Sequence, residues 1–183
     1  MRSLLLGLDV SPRRMGWGLV DLVTGEPVAC GCEAIDLPQH GWSQRQVCQA
    51  LWDISQRHFF YPGNAELQAV YIEMPALPPG SGTKGAFNAG RAVQAVSDEV
   101  GSLWPWAPVE YLQPAEWRKL AGLKGNASKQ DVWEHVFLEI GPRHLDMGSI
   151  SEQDACDAIC IAVAGQRRNG ENWQRAVDRG EAA

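Results

Sequence analysis

Residues 4–22 form the stretch LLLGLDVSPRRMGWGLVDL, which decides the class of fold. Leu4 to Asp9 is a short apolar run that ends in an acid, a pattern typical of a buried strand. Ser11 to Arg14 carries turn-forming residues, and Met15 to Leu22 predicts a second strand. The chain therefore begins with a strand pair, and Asp9 closes its first strand.

The rest of the sequence predicts one more hairpin strand and then strands that alternate with helices. Capping residues and apolar periodicity define the boundaries. The predicted elements are a strand Val28–Ile35, a helix from its N-cap Ser43 to Phe60, a strand Gln68–Glu73, a loop Met74–Gly85, a helix Ala86–Leu103, a strand Val109–Leu112, a short helix from Pro114, a loop Gly122–Ala127, a helix from Ser128 to about Ile140, and a last helix capped by Ser151.

This order predicts an α/β fold with a mixed five-stranded sheet, its first three strands antiparallel, flanked by helices. A right-handed crossover places the strand that contains Val70 parallel to the first strand and beside it. We expect one domain over residues 1–168. The composition turns polar after Gly165, so 169–183 is expected to be a polar tail that frays.

The chain has 183 residues, enough for one α/β domain with a sizeable core. It contains no apolar run near the roughly 20 residues that a membrane-spanning helix needs. Its start lacks the long apolar stretch and cleavage site of a signal peptide. We therefore expect a cytoplasmic protein.

The formal net charge of −6 is unfavourable for a DNA-binding protein, but the charges are unevenly distributed. Residues 113–131 carry four basic side chains against two acidic ones. Lys84 and Arg91 lie in a stretch without acids. The net charge weakens a nucleic-acid-binding function without excluding it.

Five cysteines are present: Cys30, Cys32, Cys48, Cys156 and Cys160. An odd number without a signal peptide argues against a disulfide scaffold. Two pairs could supply four zinc thiolates, but neither has zinc-finger spacing, and buried cysteine is a common small hydrophobe. The second interpretation is preferred.

Four acids stand out by context: Asp9 and Glu73 each close an apolar strand, and Asp154 and Asp157 share one face of an apolar helix. Carboxylates in such surroundings must be paired or must bind a cation. Together they predict a site for two Mg²⁺ ions about 4 Å apart, with Mn²⁺ as a substitute, suited to phosphodiester hydrolysis. Alone, Asp9 could be a turn former and Asp154 could complement a helix dipole.

Several motifs resemble those of RuvC-type Holliday junction resolvases, nucleases of the RNase H-like superfamily. The resemblance covers about Leu4 to Ala164. Its most specific parts are the paired-aspartate helix and the ordered set of four acids. The matching segments are LGLDVS at 6–11 with GWG at 16–18, YIE at 71–73, NAGR at 88–91, GNASK at 125–129 and DACDA at 154–158.

The resemblance implies a Mg²⁺-dependent crossover junction endodeoxyribonuclease. It implies a homodimer that places two metal sites across a four-way DNA junction and makes paired symmetric nicks. Catalytic roles fall to the four acids and to Lys129, which would contact the scissile-strand phosphates. The residues expected to contact DNA are Arg13, Arg14, Lys84, Phe87, Arg91, Arg118, Lys119, Lys124 and Lys129.

Three other functions are compatible with parts of the pattern. The same metal chemistry could serve flaps, forks or RNA–DNA hybrids. An actin-like or sugar-kinase-like ATPase also begins with Gly-x-Asp, but it needs two such halves and an adenosine site that this chain lacks. A catalytically silent DNA-structure binder would not need all four acids. Tryptophans 104, 106, 117 and 133 could stack on bases, although core or interface packing suits most of them better.

Overall fold

The computed structural model describes residues 2–35, 44–60, 65–75, 82–140 and 152–178. Five strands form one sheet: β1 Arg2–Val10, β2 Arg14–Asp21, β3 Pro27–Ala34, β4 Ala65–Glu73 and β5 Val109–Leu112. The helices are α1 Gln44–Ser55, α2 Thr83–Leu103, α3 Pro114–Leu120, α4 Lys129–His135 and α5 Glu152–Asp178. Five-residue π-helical turns, Gln56–Phe60 and Val136–Ile140, extend α1 and α4.

The strand order across the sheet is β3-β2-β1-β4-β5. β1, β2 and β3 are antiparallel neighbours, whereas β4 runs parallel to β1 and β5 parallel to β4. This is the mixed five-stranded α/β sheet predicted from the sequence, and that prediction is confirmed. The crossover that places β4 beside β1 is confirmed as well.

Alternating side chains divide the core between the two faces of the sheet. One face presents large residues such as Leu6, Leu8 and Trp17, which pack in one cluster with α1 and α2. The other face carries Leu5 and Tyr71, which cluster with α3, α4 and α5. Asp9 follows Leu5 and Gly7 by twos along β1 and therefore belongs to the α5 face.

The element boundaries differ from the predicted ones in a few places. α2 begins at Thr83 and not at Ala86, so it includes part of the predicted loop. α5 continues through the polar segment to Asp178, which means that the change of composition after Gly165 does not end the helix. The predicted caps Ser43 and Ser151 and most of the loop after Glu73 lie outside the described residues. Among the helices that are described, none is long and apolar enough to cross a membrane.

Candidate active site

Two of the four acids come from adjacent parallel strands. Leu8 pairs with Ile72 in the β1–β4 ladder, and Asp9 and Glu73 are the next residues of these strands. Because parallel strands end at the same edge of a sheet, both carboxylates lie at the carboxyl end of the two central strands. Both residues are partly exposed there.

The other two acids reach the same edge because α5 packs unusually close to the sheet. A Cβ atom on Gly16 would overlap the main-chain carbonyl oxygen of Asp154, and one on Gly7 would overlap that of Ala158. Gly16 is also the cross-strand partner of Asp9. The two glycines therefore let the first turns of α5, which carry Asp154 and Asp157, approach the end of β1.

The carboxylates form one electrostatic cluster. Burial raises the pKa of Asp9 well above its ordinary value, and the charges of Glu73, Asp157 and Asp154 raise it further. Burial also raises the pKa of Glu73 and that of Asp157, and Asp157 adds to the shift of Glu73. All four acids thus act on a common volume, which carries an excess of negative charge.

The carboxylates of Glu73, Asp157 and Asp154 each have a partner within the protein. The indole N–H of Trp117 donates a hydrogen bond of 2.5 Å to Oε2 of Glu73. The side-chain amide of Gln153 donates to Oδ1 of Asp157 at 3.0 Å. Oδ2 of Asp154 lies 3.8 Å from a guanidinium nitrogen of Arg14 and 3.8 Å from the thiol of Cys32.

As they stand, no three His, Cys, Asp or Glu side chains of the described residues are gathered closely enough to hold a metal ion. The donor set nevertheless suits a hard divalent cation, because it consists of carboxylate oxygens, and the charges of the neighbouring acids raise the pKa of Asp9 beyond the effect of burial.

Two basic residues from the segment after β5 act on the cluster. Lys129 lowers the pKa values of Asp9, Glu73 and Asp157, and Arg118 lowers those of Glu73 and Asp157. Lys129 is the first residue of α4, whose start is fixed by reciprocal hydrogen bonds between Ser128 and Asp131. The side chain of Lys129 is exposed, as expected for a group that would meet a phosphate.

The remaining predicted DNA-contact residues come from the first hairpin, from α3 and the segment that follows it, and from α2. Arg13, Lys119 and Lys124 are exposed. Lys84 and Phe87 belong to α2, and Phe87 is 62% exposed with the Arg91 guanidinium 5.3 Å from its ring centroid. Because the buried side of α2 packs on the opposite face of the sheet, these side chains form a separate group from Lys129 and Arg118.

Sequence reasoning missed the partners of the carboxylates. The sequence predicts core packing or base stacking for Trp117, and the side chain is fully buried. Its hydrogen bond to Glu73 could not be predicted, because it depends on how α3 packs against β4. Gln153 was detectable, since it precedes Asp157 by one helical turn. Trp104 is buried and Trp133 packs against Phe137, whereas Trp106 is 61% exposed.

Four of the five cysteines are buried, and Cys48 is partly exposed. Their burial agrees with the interpretation of cysteine as a small hydrophobic residue. Cys32 differs from the other cysteines because its thiol, on β3, lies 3.8 Å from Oδ2 of Asp154. Burial and the charge of Asp154 raise the pKa of Cys32 to about 12, so the thiol stays protonated.

A cavity of about 710 Å³ lies away from the acids, beside α3 and the later turns of α5. Arg168 lines it and forms ion pairs of 3.7 Å with Glu110 and 3.2 Å with Glu116. None of the four clustered acids lines this cavity.

Comparison with known proteins identifies relatives along nearly the whole chain. The crossover junction endodeoxyribonuclease RuvC of Salinibacter ruber is 27% identical over 185 residues, covering 96% of this chain and 95% of that protein. The protein of the same name from Chromohalobacter salexigens is 27% identical over 163 residues, covering 88% of this chain and 79% of that protein. No protein-family model matches the chain.

Among solved structures, Thermus thermophilus RuvC in complex with Holliday junction substrate superposes with a TM-score of 0.65, at 16% identity, over 92% of this chain and 96% of that one. At this identity the match shows the fold. Together with the two sequence relatives, it confirms the resemblance that the motifs indicated: the chain is similar to RuvC proteins over nearly its whole length and has the RNase H-like fold.

Proposed function

We propose that this protein is a metal-dependent endonuclease that resolves four-way DNA junctions by paired nicks. The observation that carries the proposal is the convergence of four acids from β1, β4 and α5 on one electrostatic centre. The names of its two relatives, both crossover junction endodeoxyribonucleases, support the same activity. The proposal extends to Mg²⁺, with Mn²⁺ as a substitute, as the metal.

In this proposal Asp9, Glu73, Asp154 and Asp157 hold two divalent cations, after their side chains turn toward a common centre. The cations would supply Lewis-acid chemistry for an in-line displacement at a phosphodiester. The protein's own contribution is to keep the carboxylates ionised and in place. Arg118 and Lys129 help to keep the carboxylates ionised, since their charges lower the pKa values of Glu73 and Asp157.

The basic residues have a second role toward the substrate. Lys129 is a compact charge on an exposed, rigidly started helix, so it is suited to contact a phosphate beside the acidic centre. Arg118 is partly buried, and its charge lowers the pKa of both Glu73 and Asp157. Arg13, Arg14, Lys119 and Lys124 would contribute further DNA contacts, and Lys84, Phe87 and Arg91 on α2 would form a separate contact group.

Paired nicks require two active sites on one junction, so the proposal includes a homodimer with one acidic centre in each subunit. Light scattering of the free protein measures its mass, and cut positions on both opposing strands report whether two centres act together. Asymmetric single nicks from a monomer would contradict this part of the proposal.

The central experiment is cleavage of a synthetic four-way junction with and without Mg²⁺, with the cut positions mapped. We expect Mg²⁺-dependent nicks at symmetric positions. Asp157→Asn should reduce cleavage at least ~100-fold, because it removes a carboxylate from the centre, while junction binding stays within about 3-fold, because the basic surface is untouched.

Asp53→Asn is the matched control for Asp157→Asn. Asp53 also accepts a hydrogen bond from a glutamine one helical turn before it, Gln49, at 2.8 Å, but it lies on α1. The Asp53→Asn protein should cleave like the unmodified one. Preferential cleavage of an RNA–DNA hybrid or a flap would replace the substrate in this proposal, and tight junction binding without cleavage in Mg²⁺ or Mn²⁺ would refute the nuclease.

A further inference from the structure

Trp117 touches the acidic centre in two ways at once. Its indole N–H donates to Oε2 of Glu73 at 2.5 Å. The face of its ring lies against the guanidinium of Arg118, whose central carbon is 4.7 Å from the ring centroid. The side chain is fully buried, so neither contact is shared with solvent.

Local sequence fixes this placement. Leu112, the last residue of β5, pairs with Glu73 at the end of β4. The chain then enters α3 at once, with Pro114 in the first turn and with reciprocal hydrogen bonds between Gln113 and Glu116. Trp117 follows one turn later and is thereby directed back over the strand end that carries Glu73.

We propose that Trp117 is a positioning residue: it orients Glu73 for metal binding through its indole edge and orients Arg118 for the DNA phosphate through its ring face. This inference rests on the proposed nuclease function. The buried side chain of Trp117 would thus set the distance between a metal ligand, Glu73, and a phosphate-binding cation, Arg118. These two groups must act together on the same phosphodiester.

Indole is well suited to this role because it is a donor only and does not titrate. It can fix one oxygen of Glu73 without competing for the cation, and it leaves Oε1 open. The hydrogen bond also favours the ionised form, since it lowers the pKa of Glu73 against the effect of burial. A group that supports a metal ligand in this way commonly changes metal affinity about 10- to 100-fold when it is removed.

Arg118 gains a fixed orientation from the ring. Its Nε atom is buried and has no hydrogen-bond partner among the described residues. Stacking on Trp117 is therefore the contact that aims the guanidinium, and the exposed part of the side chain remains available to a ligand. The cation lies near enough to Glu73 and Asp157 to lower the pKa values of both.

The molecule offers an internal control in Trp17. Its indole is also buried, but it lies in the core cluster on the α1–α2 face, and its N–H has no hydrogen-bond partner among the described residues. Trp17→Phe and Trp117→Phe therefore make the same chemical change at two buried sites. One of these sites adjoins the acids, and the other does not.

The test measures Mg²⁺ binding without DNA, by isothermal titration and by the indole N–H signals in a ¹⁵N-correlated NMR spectrum. Trp117→Phe should weaken Mg²⁺ binding about 10- to 100-fold, while Trp17→Phe leaves it unchanged. In the unmodified protein the Trp117 indole signal should move as Mg²⁺ is added. The Trp17 signal should not.

Arg118→Gln separates the two contacts of Trp117. It keeps the indole hydrogen bond but removes the cation, so it should weaken junction binding and raise Mg²⁺ affinity, because a repelling charge is lost. Trp117→Phe should keep junction affinity within about 3-fold, since a phenyl face remains for Arg118, and lower the rate of cleavage of bound junction.

Unchanged Mg²⁺ affinity in Trp117→Phe, or an indole signal that ignores Mg²⁺, would overturn the inference. If Trp117→Phe does not fold, Glu73→Gln serves instead, because it weakens the acceptor and should shift the Trp117 indole signal; a static signal counts against the contact. Failure of the proposed function is distinguishable, since then the unmodified protein would neither bind Mg²⁺ nor cut the junction.

Discussion

The two faces of the sheet are built on opposite principles. On one face Leu6, Leu8 and Trp17 hold α1 and α2 off the sheet with large side chains. On the other face, Gly7 and Gly16 have no side chains, and the backbone of α5 packs directly against the backbone of the strands there. The difference shows how a fold places a functional group: a helix held by side chains can shift with them, whereas one held on main chain is fixed relative to the strand ends.

The largest effect on stability is expected when a side chain is added at a glycine beneath α5. Gly16→Ala puts a methyl group where the main chain of Asp154 lies, so α5 must move. We expect a loss of about 3 kcal/mol in the free energy of unfolding, or a fall of about 6–12 °C in Tm. Thermal unfolding measures it.

Gly90→Ala is the matched control for Gly16→Ala. Gly90 is exposed within α2, and no atom of the described residues lies within 4 Å of the position that an added methyl group would take. Alanine there should stabilise the protein by about 0.5–1 kcal/mol through helix propensity. Equal effects of the two substitutions would show that α5 is not held by main-chain contact.

A second prediction contrasts two aspartates of the same sheet. The pKa of Asp9 is raised in the folded protein, by burial and by its acidic neighbours, so the folded state holds this proton more tightly than the unfolded chain. Ionisation as the pH rises above about 4 therefore costs stability. Asp9→Asn should raise the Tm of the metal-free protein at pH 8 by about 2–4 °C, and less at pH 5.

Asp21 should respond with the opposite sign. Burial alone would raise its pKa, but hydrogen bonds from Thr24, Arg2 and Val23 outweigh it and lower the pKa. The stability that Asp21 contributes is present above a pH of about 4 and is lost as the pH falls through the lowered pKa. Asp21→Asn should thus lower the Tm at pH 8. Mg²⁺ should raise the Tm of the Asp21→Asn protein but not that of Asp9→Asn, and equal responses would contradict a metal role for Asp9.

The smallest effect distinguishes the basic residues of the two faces. Lys129→Ala and Lys84→Ala should each flatten the salt dependence of junction binding by about one unit of slope, since each removes one phosphate contact. Only Lys129→Ala should also slow cleavage of bound junction, because only Lys129 is seen to act on the carboxylates. An unchanged slope and rate for Lys129→Ala would remove it from the site.

Much of this architecture could be predicted from the sequence. Apolar runs ending in Asp9 and Glu73 located the strand ends, and the spacing of Asp154 and Asp157 put both on one helix face. The antiparallel pairing of the first three strands and the place of β4 beside β1 followed from hairpins and a right-handed crossover. These features are local or topological, so periodicity and chirality suffice to specify them.

The parts that could not be predicted depend on distances between elements. Periodicity shows that Trp117 is buried, but not that its nitrogen meets Glu73, because that depends on how α3 is seated against β4. The approach of Cys32 to Asp154 is similar, since it joins β3 to α5 over 122 residues of chain. The distances between the carboxylates are a third case, because they depend on how closely α5 packs on Gly7 and Gly16.

The main-chain contact between Gly16 and Asp154 also divides the protein into a part open to redesign and a part that is not. Leucines, valines and aromatic residues beneath α1 and α2 can be exchanged as a set, provided that their total volume is kept. No such exchange is possible where the backbone of α5 rests on that of Gly16, because glycine has no side chain to replace. Variation among descendants of this chain should therefore accumulate at the residues beneath α1 and α2, while Gly7 and Gly16 stay unchanged.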